Sequence, residues 1–154
     1  MMAFFTGTII VTGANGGLGT AMIKRITEDP ELATLSRVYT VRDIYTATSL
    51  RSILQTTNSH DNIVLPLELS KLSSVREAAE TINAKVKAGE IPPIRALILN
   101  ASQREPQGQA RTENGLDLAF AGNYLGHWLL TLLLLQSMDR DLGRIVVVGG
   151  WAHE

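Results

Sequence analysis

Short apolar, β-branched runs alternate along the chain with segments whose apolar positions repeat at helical spacing. The runs TIIVT (8–12), RVYTV (37–41), NIVLPL (62–67), IRALIL (94–99) and RIVVV (144–148) predict five strands. Each is nearly continuous in apolar residues, the pattern of strands covered on both faces. Leu18, Ala21, Met22 and Ile26 predict a first helix after a glycine-rich turn, and a weaker helix is expected over about 46–57. Val75, Ala78, Ala79, Ile82 and Val86 form a cleaner stripe, with Ser73 or Ser74 as expected N-caps and Gly89 as the stop. A fourth helix is predicted from about Thr112 to Met138, with Gly143 near its end. Such alternation implies βαβ units, right-handed crossovers and a parallel sheet. The longest polar stretch, ASQREPQGQAR (101–111), follows the carboxyl end of the fourth strand, where these sheets bind ligands.

Size and composition narrow the classes. At 154 residues the chain is expected to form one domain, 1–154, and to bury roughly 68–70% of its unfolded surface. A formal net charge of −1 gives no electrostatic reason to expect nucleic acid or an anionic membrane as partner. The sequence has no cysteine, which removes disulfides, thiolate metal sites and cysteine nucleophiles. With only three histidines as well, a metal site has no basis. The opening MMAFFTGTIIVTG lacks a basic n-region and leads straight into the glycine turn, so it reads as a first strand and not as a signal peptide. The apolar window WLLTLLLL (128–135) falls short of the ~20 residues that span a bilayer. A cytoplasmic protein without a membrane span is expected.

The segment IIVTGANGGLG places Gly13, Gly17 and Gly19 between the first strand and the first helix. Glycine at the strand's end permits a tight turn, and the later glycines let a phosphate approach the backbone and the helix pack close to the sheet. The helix N-terminus then offers unpaired N–H groups to a pyrophosphate. No Gly-Lys-Ser/Thr follows, which argues against a nucleoside-triphosphate loop.

Thr12 followed by G-x-x-x-G-x-G resembles the short-chain dehydrogenase/reductase family, and three further segments in order carry the same resemblance. LILNAS (97–102) is similar to its N-N-A-G segment, with Asn100 and Ala101 matched and Ser102 in place of glycine. TENGLDLAFAGNYLGHWLLTLLLL (112–135) and RIVVVGGWAHE (144–154) resemble the retinol-dehydrogenase-like and fungal ketoreductase-like branch. The resemblance implies an α/β, Rossmann-like, doubly wound parallel sheet of five strands in the order 3-2-1-4-5 with flanking helices, incomplete relative to the full family fold. It also implies that Thr12, Gly13, Asn15, Gly17, Leu18 and Gly19 of the turn, with Glu68, Leu69, Asn100, Ala101 and Asn123, bind a nicotinamide cofactor. Val41 falls where NAD-preferring relatives would carry an aspartate, and Arg42 follows it. A guanidinium there suits a 2′-phosphate, so NADP(H) is expected in preference to NAD(H).

The chemistry implied is hydride transfer between the nicotinamide and a carbonyl or alcohol carbon of an apolar small molecule, with secondary metabolism as one setting. A tyrosine with a pKa lowered by a lysine would handle the oxygen's proton, since an unperturbed phenol near pKa ~10 is a poor base at neutral pH. A serine would hold the substrate oxygen and a helix asparagine would anchor a relay water. Asn123 matches the asparagine, and Gly150 stands where the serine is expected. None of Tyr39, Tyr45 and Tyr124 has a lysine four residues later, and no Y-x-x-x-K occurs before Glu154. The chain is therefore expected to be truncated before that motif, and a non-catalytic nucleotide-binding remnant or interaction subunit is the competing reading. His127 is expected to pack or cap, and His153 is not expected to catalyse. The fifth strand's open edge and the apolar fourth helix are expected to mediate association, as a homo-oligomer or with another chain.

Overall fold

The computed structural model describes residues 6–56, 62–103 and 110–150. Five parallel strands, β1 (Thr8–Thr12), β2 (Ser36–Val41), β3 (Asn62–Pro66), β4 (Ile94–Leu99) and β5 (Arg144–Val147), form one sheet in the order β3-β2-β1-β4-β5. The predicted runs and the predicted order hold, with ends shifted by a residue: Ser36 joins β2, while Leu67 and Val148 leave β3 and β5. The register aligns Thr12 with Thr40 and Val11 with Ile98, so the carboxyl ends of the three central strands open onto one edge.

Every residue of β1 and β2 is buried because helices cover both faces. On one face Ile10, Val38 and Leu97 pack with Val75, Ala79 and Ile82 of α3 (Leu72–Lys87), and with Leu130 and Leu134 of the fourth helix. On the other, Ile9, Val11 and Tyr39 pack with Ile23 and Ile26 of α1 (Gly17–Glu28) and Leu50 of α2 (Thr48–Thr56). The alternation of Ile9, Ile10 and Val11 between the two cores is the two-residue period of a strand. The Tyr39 hydroxyl lies in this second core with no hydrogen-bond partner, and burial pushes its pKa up to about 12 against a smaller downward pull from Arg37. An unsatisfied buried hydroxyl costs ~1–3 kcal/mol. Tyr39→Phe is therefore expected to stabilise the fold, by about 1 kcal/mol in denaturant unfolding; a loss of stability would contradict that description of the site.

Three helix expectations are corrected. The buried stripe of α1 is Gly19, Ile23 and Ile26, while Leu18 and Ala21 face outward. Its contact with the turn runs through a glycine, which an apolar count does not register. Neither Ser73 nor Ser74 is the N-cap of α3: Lys71 holds that place, and the Ser74 hydroxyl instead accepts the Glu68 N–H at 3.0 Å. The fourth helix, α4, runs continuously over Leu118–Ser137 and starts six residues later than predicted. Gly115, at φ 76°, turns the chain, and the Asp117 carboxylate caps the helix by accepting the Phe120 N–H at 2.8 Å.

Within α4, residues Ala121–Leu125 form a π-bulge, and the following Gly126 lies directly against the Leu69 carbonyl. By length and composition alone this helix could cross a membrane. Here, however, Leu130 and Leu134 are fully buried against the sheet, and Asn83 of α3 donates to the Leu133 carbonyl. Phe120, Tyr124, Trp128, Leu132 and Leu135 form an exposed apolar row on α4, and Ile145, Val146 and Val147 of β5 are exposed as well.

Candidate nucleotide-binding site

A cavity of about 610 Å³ opens at the carboxyl edge of the sheet, within the ~300–1,000 Å³ of small-molecule pockets. Gly13, Asn15, Gly17, Leu18, Gly19, Arg42, Glu68, Leu69, Asn100, Ala101 and Asn123 all line it. Of the residues expected to bind a cofactor, only Thr12 stands off the lining; it is buried beneath the floor.

The turn explains its own glycines. Gly13 sits at φ +68°, and a Cβ there would lie 2.7 Å from the Ala101 Cα. A Cβ on Gly19 would collide with the Gly13 carbonyl oxygen. Gly17 is different, because a Cβ there meets nothing within 4 Å and projects into open space beside the cavity. Gly16 is the N-cap of α1, no side chain caps the helix and no acidic residue occupies its first turn. The first intrahelical bond is Thr20 N–H to the Gly16 carbonyl, which leaves the N–H groups before it available to an anion.

The floor is tied together from two strands. The Asn100 side-chain amide donates to the carbonyls of Thr12 (3.0 Å) and Gly13 (3.4 Å), so Asn100 fixes the turn as well as lining the cavity. The Thr12 hydroxyl oxygen accepts the backbone N–H groups of Asn100 and Ala101, each at 3.0 Å. Asn15 spans the turn and α2, its side-chain Oδ1 accepting the Leu50 N–H at 3.0 Å.

On the rim, Arg42 is exposed at the end of β2, and none of the ion pairs among the described residues involves it. The Asp43 carboxylate beside it accepts the Tyr45 N–H at 2.8 Å. Glu68 uses one carboxylate oxygen to accept from the Ser70 N–H and hydroxyl, which holds it to its own loop.

Asn123 faces the cavity from the π-bulge, and its side chain clamps the Gln103 backbone: Oδ1 accepts the Gln103 N–H at 2.7 Å and Nδ2 donates to its carbonyl at 2.8 Å. Gln103, Gly122 and Thr46 line the cavity and were not foreseen from sequence, since no spacing rule joins them to the glycine turn. Gly150 is also part of the lining and brings no hydroxyl. None of the three tyrosines reaches the cavity: Tyr39 is in the core, and Tyr45 and Tyr124 are exposed elsewhere. His153 and positions 104–109 of the long polar loop lie outside the described residues.

Known proteins match this chain in sequence and in fold. The family model for short chain dehydrogenases matches residues 7–153. The chain is 50% identical over 154 residues to the short-chain dehydrogenase iccH of Talaromyces variabilis, covering 96% of this chain and 42% of that protein. It is 31% identical over 148 residues to human retinol dehydrogenase 11, covering 94% and 43%. It thus spans less than half the length of these curated relatives. Among solved structures, a metagenomic short-chain oxidoreductase in complex with NADP superimposes with a TM-score of 0.74 at 19% identity, covering 97% of this chain and 64% of that one. A short chain dehydrogenase from Burkholderia cenocepacia, also with NADP, gives 0.72 at 18%, covering 97% and 57%. The chain belongs to the short-chain dehydrogenase family.

Proposed function

We propose that this chain forms the NADP(H)-binding part of an oxidoreductase acting on a carbonyl or alcohol group of an apolar small molecule. The uncapped start of α1, opening onto the cavity beside Gly17, is the observation that carries this reading. A pyrophosphate there would receive the first-turn N–H groups, and Gly17 leaves the space in which phosphate oxygens approach them. The adenosine end would run towards Arg42, and Asn100 and Ala101 would lie beneath the nicotinamide half. The bound cofactor supplies the hydride; the residues of this chain hold and orient it. The NADP complexes among the fold's neighbours support the choice of cofactor, and the fungal ketoreductase-like motifs of this chain's fourth helix and fifth strand support a place in secondary metabolism. The exposed apolar rows of α4 and β5 support association through them, in the simplest case as a homo-oligomer.

Arg42→Ala tests the cofactor preference. Hydrogen bonds to charged groups contribute ~1.5–3 kcal/mol, so NADPH affinity is expected to fall about ten- to a hundredfold while NADH affinity is nearly unchanged. Equal losses for the two nucleotides would refute the assignment of Arg42 to a 2′-phosphate.

A second reading, a nucleotide-binding module without turnover, is favoured by Gly150 at the cavity and by the absence of any tyrosine from the described lining. Positioned acid–base groups alone contribute ~10²–10⁴-fold. NADPH oxidation by the 154-residue chain with a panel of ketones separates the two, and a rate near that of ordinary reductases would end the module reading.

A further inference from the structure

His127 is buried in α4, 115 residues from Thr12, yet its Nε2 lies 2.9 Å from the Thr12 hydroxyl and its Nδ1 3.3 Å from the Asn123 carbonyl. A threonine hydroxyl has one proton and two lone pairs. Both lone pairs of Thr12 are occupied by the N–H groups of Asn100 and Ala101. Its proton must therefore point away from those amides, and the two acceptors within reach are His127 Nε2 at 2.9 Å and the Ile98 carbonyl at 3.5 Å. The shorter contact lies in the ordinary hydrogen-bond range and the longer does not. This assigns the ring as neutral, with its proton on Nδ1 directed at Asn123.

We propose that His127 is a positioning residue for the nucleotide site: by accepting the Thr12 proton it orients that hydroxyl to hold the Asn100 and Ala101 amides that form the cavity floor. The site role rests on the nucleotide-binding reading above; the orientation of Thr12 does not. A protonated ring would present Nε2–H to an oxygen whose lone pairs are already taken. Thr12 would have to turn to the Ile98 carbonyl, and one of the two amides would lose its acceptor.

Acid is therefore expected to loosen the floor. Burial pushes the ring below the ordinary histidine value, and its contact with the Asn123 carbonyl offsets part of that. On α3, which packs on α4, Arg76, Glu77, Glu80 and Lys87 are exposed and Lys85 pairs with Glu90. β1 carries no ionic group, Arg95 and Arg144 sit at the opposite ends of β4 and β5, and Tyr124 of α4 is exposed. Asp117 is engaged with the helix start and Glu68 with Ser70. Because the folded pKa is depressed, the contribution of His127 to stability is complete above the ordinary value near 6.5. It is lost as pH falls through the folded pKa.

The test uses the 154-residue chain with NADP⁺ as probe, together with His127→Gln and His127→Phe. Glutamine presents one acceptor and one donor at similar separation and does not titrate; phenylalanine presents neither. In the nucleotide-free protein, long-range ¹H–¹⁵N spectra are expected to show the Nδ1–H tautomer. The Asn100 and Ala101 amide signals should shift with acid at the midpoint of the His127 ring. An Nε2–H tautomer, or amides indifferent to that titration, would overturn the proposal.

With NADP⁺, the wild-type affinity should fall relative to His127→Gln by up to about tenfold per pH unit below the midpoint. The nucleotide's own phosphate titration is common to both proteins and cancels in the ratio. His127→Gln should match the wild type at neutral pH, whereas His127→Phe should bind weakly throughout. A His127→Gln protein as acid-sensitive as the wild type would also overturn the proposal. If NADP⁺ binds to no variant while ring and amides remain coupled, the nucleotide reading fails and the orientation of Thr12 by His127 stands.

Discussion

Gly19→Ala is expected to cost both the fold and the nucleotide. Its added methyl would strike the Gly13 carbonyl oxygen and sit 3.1 Å from the Ala14 Cα. Neither atom belongs to a side chain that could swing aside. Overpacking generally costs ~1–3 kcal/mol, and with only backbone to displace the upper end, about 3 kcal/mol, is expected here. The collision would also push the start of α1 away from β1, moving the first-turn N–H groups off the cavity. A clear drop in the denaturation midpoint together with lost NADP⁺ binding is the expected result. A Gly19→Ala protein as stable as the wild type would show that the turn is not packed as described.

Gly17→Ala should separate the two effects. Its methyl meets no atom within 4 Å, and alanine is the better helix former at the first position of α1. The melting temperature should therefore stay level or rise slightly. The same methyl stands in the space a phosphate oxygen would use. Losing even one charge-assisted N–H contact, worth ~1.5–3 kcal/mol, predicts about a ten- to hundredfold weaker NADP⁺ affinity. Stability unchanged and affinity lost is the signature of a glycine kept open for a ligand. Unchanged affinity would mean that nothing closely approaches this backbone.

The strands were the most legible feature because parallel strands buried on both faces leave no polar alternation to misread. The cavity residues were legible because the turn, Asn100, Ala101 and Asn123 lie in segments that resemble the motifs of the short-chain dehydrogenase family. The failures have local causes. The phase of α1 is hidden from an apolar count because its contact at Gly19 has no side chain. The start of α4 is obscured in sequence because the glycine at 115 and the cap at Asp117 end a turn inside an otherwise helix-compatible run. Ser74 looked like a cap and serves the Glu68 backbone instead, a choice made by the loop before α3. The junction of Thr12, His127 and Asn100 could not be read at all. Its members come from three elements and meet only because β1, β4 and α4 converge at the carboxyl edge of the sheet.

The most direct measurement is a titration of the folded chain with NADP⁺, followed residue by residue through its backbone amide signals. Saturable shifts concentrated at Gly13, Gly17, Leu18, Gly19, Asn100 and Ala101, and abolished in a stably folded Gly17→Ala protein, are the result predicted. A folded chain whose glycine-turn amides do not respond, or respond no more than the far ends of the strands, would contradict it.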